Sequence, residues 1–408
     1  MVSVPASSIS DVSLDESAAS TYSLNPSPHT AQVLQSIQPL YERLSQQSPT
    51  RPDIVAQMIR ATIRLALIQR QLGQTSDAIE SLEHGIDVLR RRGETAGLAN
   101  DESQLLMMRL QNELGDVYAV ELRFDESEQA FETALSAASD LGVTDSEAVL
   151  QLARAHVGLG DPPPQRRRIE SQENKLPRER RLHLRTAVEL LDTLHETGNS
   201  ASLVTTLRAR VRLAQSRIEK RPAAKRARFN DAIEILRQRL DVAPSDIAAR
   251  YTLVEALAAV NLRREVQTKL QRSEAAARLR EALAELQTLK QQFPDTPIFG
   301  VSEVHIRHKL SNLAKTEQEY DEANQQLQKA IAIQSTLVNA TPENISHRCW
   351  RALLYRSLAE VCDLQGNQDA ADEAVANAVA DIETIAPADS DHPFVVQTRQ
   401  IIEALSSP

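Results

Sequence analysis

The 408-residue chain predicts an all-α fold, an array of antiparallel helix pairs stacked along one axis. Three observations carry this. A 22-residue window recurs four times without gaps, as LALIQRQLGQTSDAIESLEHGI from Leu65, LGDVYAVELRFDESEQAFETAL from Leu114, LSNLAKTEQEYDEANQQLQKAI from Leu310 and LAEVCDLQGNQDAADEAVANAV from Leu358. Its columns of large and small residues follow helical spacing. The composition, with 11 glycines and 3% aromatic residues, suits long Ala/Leu/Gln/Arg/Glu-rich helices better than strands.

Each window opens on leucine followed by a small residue: Ala66, Gly115, Ser311 and Ala359. A large residue beside a small one lets a neighbouring helix come close. Thirteen residues after the leucine stands another small residue (Ala78, Ser127, Ala323, Ala371), then a larger apolar one four later (Leu82, Phe131, Leu327, Val375). The pattern turns small again at Gly85, Ala134, Ala330 and Ala378, then aliphatic at Ile86, Leu135, Ile331 and Val379. Offsets of four, seven and eight mark one face of a helix, so each window is a helix, a turn and a helix packed together.

These columns resemble the tetratricopeptide repeat family. The window at Leu114 matches best, because Tyr118 and Phe124 occupy that family's aromatic columns. The windows at Leu65 and Leu358 keep its turn glycine as Gly73 and Gly366, whereas Leu122 and Gln318 replace it in the other two. The resemblance implies a right-handed superhelical solenoid with first helices lining the concave side. The proline-punctuated repeats also look like the extensions that follow the catalytic domain in large bacterial serine/threonine kinases, which suggests a detached or truncated regulatory region.

Along the chain, residues 1–28 are Ser/Pro/Asp-rich and predict a disordered tail. From 29 to 160 come N-terminal repeats, beginning with half a pair over about 31–47. From 161 to 230 the repeat is degenerate. LARAHVGLG from Leu152 reads as a first helix, with Ala187, Leu191 and Leu194 on its second, and DPPPQRRRIESQENKLPRER as an insertion between them. IEKRPAAKRARF reads as another interruption, preceding the helix DAIEILRQRL. From 231 to 390 regular repeats resume, one running from Tyr251 through Ala282 and Leu289. Pro49, Pro244, Pro294, Pro342 and Pro387 mark exits from second helices, since proline cannot continue a helix. The last four are 50, 48 and 45 residues apart, longer than the roughly 34 of a minimal repeat, which predicts extended helices or turns. Residues 391–408 hold a C-terminal capping helix, DHPFVVQTRQIIEAL, and a tail. About six or seven pairs plus the cap are expected.

Function classes narrow in the same way. The start has neither a basic segment nor an apolar stretch of signal-peptide type, and no run is apolar for the roughly 18 residues a span needs, so a cytoplasmic chain without membrane attachment is expected. Cys349 and Cys362 lack any CxxC or Cys/His ligand spacing and read as reduced core thiols. No phosphate-binding, dinucleotide-binding, hydrolase or kinase signature occurs, so no enzyme and no cofactor are expected. The leading expectation is a scaffold that binds a peptide or helix of another protein.

By family register, groove-facing positions are Arg109, Asn112 and Asp116, then His305, His308 and Asn312, then Arg356 and Glu360. Relatives that grip a C-terminal carboxylate place a Lys/Asn clamp at such positions, and it is not reproduced here. His305 and His308 lie three apart on one helix face, yet no cysteine or HExxH geometry completes a ligand set, so no metal is expected. Residues 161–230 hold 17 Lys/Arg against 8 Asp/Glu, a balance of +9 against −19 for the remainder. Arg166, Arg167, Arg168, Lys220, Arg221, Lys225, Arg226 and Arg228 form the basic patch, an alternative site for an acidic partner or nucleic acid. Phe229 alone interleaves it, so base stacking, and with it nucleic acid, is disfavoured. Oligomeric state is left open.

Overall fold

The computed structural model describes residues 51–121, 123–138, 145–161, 177–194, 201–260, 268–294, 296–342, 344–385 and 392–406, with Ser36 and Ser390. The tail over 1–28, the half-pair over 31–47 apart from Ser36, and Pro49, Pro387 and Arg166 to Arg168 lie outside the described residues. Fifteen helices make up the described chain, without strands. They are α1 (Pro52–Gln71), α2 (Thr75–Arg92), α3 (Asn100–Val120), α4 (Phe124–Ala137), α5 (Ser146–Gly160), α6 (Pro177–Asp192), α7 (Ala201–Ile218) and α8 (Pro222–Val242). Next come α9 (Ile247–Ala258), α10 (Lys269–Gln292), α11 (Pro297–Thr316), α12 (Tyr320–Ala340), α13 (Ile345–Leu364), α14 (Gln368–Glu383) and α15 (Pro393–Ser406).

Consecutive odd and even helices pack most closely, giving seven pairs from α1/α2 to α13/α14. Each even helix also meets the next odd one, and odd helices touch one another in succession from α1 to α9. An all-α solenoid results, with the first helices forming a continuous wall. The repeat columns are its packing surface: Ala66, Leu82, Ala78, Ala134, Leu327, Ala330 and Ala378 are all buried. Gly115 shows why one column must be small. A Cβ there would lie 2.8 Å from the Phe131 ring, and one on Gly158 only 2.5 Å from it, so α4 wedges its phenylalanine between two glycines of α3 and α5.

Turn chemistry repeats as well. Gly73 and Gly366 sit at φ 77° and 75°, the left-handed region glycine tolerates. Gln318 takes the same conformation at φ 64° without being glycine, and the flanking hydrogen bonds match: Gln74 N to Gln69 O, Glu319 N to Ala314 O and Asn367 N to Cys362 O. At the exits, Ala243, Phe293 and Thr341 share φ near −135° (−134°, −136°, −135°) with ψ of 78°, 70° and 71°. Each precedes proline, whose Cδ forces its predecessor out of the helical region.

Two segments differ from the sequence-based expectation or sharpen it. The interruption is shorter than expected: only Glu219 to Arg221 separate α7 from α8, which begins at Pro222 and takes up PAAKRARF. Proline is tolerated at the first helical position, and alanine, lysine and arginine then propagate the helix. The long proline spacing is taken up by helix length, with α8, α10 and α12 running 21, 24 and 21 residues. At the C-terminus α15 lays Phe394, Val395 and Ile402 over Cys349, Ala352, Ala378 and Ile382, covering the last pair.

Candidate binding cavity

The curvature of the wall brings distant pairs together. A Cβ on Gly73, in the α1–α2 turn, would lie 4.0 Å from Cβ of Pro297 at the start of α11, so the first and sixth pairs meet. Inside this turn lies a cavity of about 660 Å³ whose lining runs from Arg70 on α1 to Phe394 on α15. Its size falls in the ordinary range for ligand sites, roughly 300–1,000 Å³. Apolar side chains such as Phe124, Leu203, Ile298, Val301 and Trp350 form much of the wall.

One side of the cavity carries charge in a ladder across successive first helices. Arg154 on α5 donates to Asp116 Oδ2 at 2.6 Å and also to Glu113, both on α3. Arg70 on α1 stands 3.6 Å from both carboxylates. Burial works against the Asp116 charge, but Arg154, Arg210 and Arg70 overcome it and bring its carboxyl down to about 2. Burial likewise opposes the Arg154 charge, and Glu113 and Asp116 reverse that and raise its pKa. Farther along, Arg217 on α7 pairs with Asp161 at the end of α5. Glu255 on α9 then projects into the cavity, reached by solvent yet encircled by protein. Burial pushes its carboxyl up against the pull of Arg210 and Arg217, and Asp116 and Asp161 add to the rise.

Of the groove positions expected from the repeat register, Asp116 and His305 line the cavity. The others tie neighbouring first helices together or pair within one helix. Arg109 bonds Glu147 on α5 at 3.0 Å, and buried Asn112 donates to the carbonyl and side chain of Gln151 at 2.9 and 3.0 Å. His308 Nε2 meets Ser357 Oγ at 3.0 Å, and Asn312 donates to the His308 carbonyl. Glu360 accepts from Lys315 at 2.7 Å and from Arg356 on its own helix. The His305 ring lies against Trp350 with centroids 4.4 Å apart, and burial lowers its pKa to about 3, so it is a neutral ring in an aromatic corner.

The register missed Arg154, Tyr251, Glu255 and Trp350. Three of these had a signal in the sequence. Taking Leu152 and Leu253 as repeat leucines, the position two residues on is Arg154 and Glu255, the column that holds Asp116 in α3. Two and five residues before Leu253 stand Tyr251 and Ala248, and both line the cavity.

The basic patch is a separate feature at the start of α8. Lys220, Arg221 and Arg226 are exposed, Lys225 and Arg228 half-buried. Glu219 lies 3.6 Å from both Arg221 and Arg228, and backbone N–H groups of Arg221 and Lys220 help hold its carboxyl below the ordinary value. Phe229 is covered by Arg278, whose guanidinium lies 5.0 Å from the ring centre.

No protein-family model matches the chain, and no curated protein matches its sequence. Among solved structures it is similar to a thermophilic TPR protein of Thermus thermophilus, at 20% identity over 60% of this chain and 98% of the other, with a TM-score of 0.35. It is similar also to the nuclear import adaptor Nro1 of S. pombe, at 14% identity over 76% and 98%, with a TM-score of 0.38. Human IFIT1, as a dimer with PPP-AAAA, is 13% identical over 88% and 96%, with a TM-score of 0.28. All three scores fall below 0.5, and the architecture rests on the helix pairing itself.

Proposed function

We propose that this protein is a non-enzymatic scaffold that holds a peptide segment of a partner protein inside the turn of its solenoid. The observation supporting this is the cavity of about 660 Å³, walled by first helices of nearly every pair and combining apolar surface with placed charges. Such a mixture buries apolar side chains and orients the segment through its polar groups. Because the wall is preformed, most of the ordering cost falls on the peptide. A photocrosslinking residue placed at Val301 in the cavity should capture a partner that the same residue at exposed Leu270 does not. Equal capture at both positions, or capture at Leu270 alone, would move the site elsewhere.

The narrower parts of this reading have their own tests. A regulatory region of a bacterial serine/threonine kinase predicts a kinase domain encoded immediately upstream. A cytoplasmic location predicts recovery in the soluble fraction of the source cells. Nucleic-acid binding through Lys220 to Arg228 ranks second, because Glu219 offsets part of that charge and Arg278 already occupies the face of Phe229.

A further inference from the structure

Within the cavity, most charged groups already have partners. Arg154 is forked between Glu113 and Asp116, Arg217 is bound to Asp161, and Lys309 donates to the Ala258 carbonyl at 2.5 Å. Glu121 accepts from Thr75. Glu255 differs: among the described residues none donates a hydrogen bond to it, and none forms an ion pair with it. Its neighbours on α7, Arg210 and Arg217, act on it only through space, while Asp116 on α3 and Asp161 on α5 repel it. Glu255 is exposed to the solvent of the cavity, so water stands where a bonded donor would, and a cation entering the cavity can replace it.

We propose that Glu255 is the subsite that receives a cationic side chain, lysine or arginine, of the peptide bound in the cavity. This rests on the reading of the cavity as a peptide site and adds the chemistry of one position. The aliphatic stem of such a residue would lie along Ala258 and Ala259, which line the cavity at the end of the same helix. Its charged head would supply the donor that Glu255 lacks. An anionic residue is disfavoured at this point, because it would face Glu255 while the nearby Arg217 and Arg154 are already bound to Asp161 and Asp116.

The test is selection of a display library of random peptides on the full chain, followed by affinity measurements with the selected peptides. Lys or Arg should be enriched at one fixed spacing from an apolar residue. Glu255→Gln should weaken those peptides by about thirtyfold or more. Replacing the enriched lysine by norleucine should cost the same on the native protein and nothing further on Glu255→Gln, and this peptide arm stands even if the variant folds poorly. Selection on Glu255→Lys should turn the preference toward Asp or Glu at that spacing. Peptides without a basic preference, or with unchanged affinity for Glu255→Gln, would overturn the subsite and leave the cavity reading standing. Peptides that crosslink only outside the cavity, or none selected at all, would overturn both.

Discussion

Gln318 holds a left-handed conformation at φ 64° that its glycine counterparts adopt freely, which for an L side chain costs on the order of 1–2 kcal/mol. Gln318→Gly should therefore stabilise the protein by about 1 kcal/mol, the remainder being offset by the greater freedom of glycine in the unfolded chain. A higher urea midpoint with an unchanged slope is the expected reading. Ala134 is the opposite case, fully buried against Phe131 and Ala155. Ala134→Asp should cost about 4 kcal/mol or more, because an unpaired charge is forced where only a methyl fits. A melting temperature equal to that of the native protein would show that this column does not face the core. At this scale the sequence was informative wherever a column recurred: the burial of Ala78, Leu82 and Ala330 followed from spacing alone. The backbone angle of Gln318 did not, since its side chain carries no trace of the glycine it replaces.

Among the elements, α15 has a clear structural duty. Phe394, Val395 and Ile402 shield buried Cys349, Ala352 and Ile382, and Phe394 also lines the cavity. A chain ending before Pro393 should lose more helical signal by circular dichroism than the 14 residues of α15 account for, as α13 and α14 fray behind it. A loss matching α15 alone would make it an appendage. The cap was readable because Pro387 and an apolar helix pattern come after the last window. The start of α8 was misread for a physical reason: a proline amid arginines suggests a break, yet proline at the first turn is pre-organised for helix. The residues after Pro222 decide between the two, and they are strong helix formers.

Over the whole molecule, burial leaves an acid-sensitive array. Desolvation lowers His156 to about 4, His305 to about 3 and His308 to about 4, each below the ordinary 6.5. The unfolded chain thus takes up protons that the native state refuses. Stability is fully present above pH 6.5 and falls as pH drops toward 4 and 3, by at most about 1.4 kcal/mol per pH unit for each histidine. Asp116, depressed from 3.8 to about 2, adds its loss only below pH 3.8. Denaturation midpoints should start to decline near pH 6.5, and a midpoint flat down to pH 4.5 would contradict the buried neutral rings.

The cavity itself was the least legible feature. Spacing reports which residues share a helix face, but the meeting of Gly73 with Pro297 depends on curvature summed over six pairs. Arg109, Asn112 and His308 carry groove-like register, yet neighbouring helices had already claimed them. Hydrogen exchange on the full chain, with and without a selected peptide, tests the central claim most directly. Added protection should fall on the first helices α3, α5, α7, α9 and α11, with the outer faces of α8 and α10 unchanged. Protection confined to α8 around Lys220 to Arg228, or spread over the second helices, would place the partner outside the solenoid's turn.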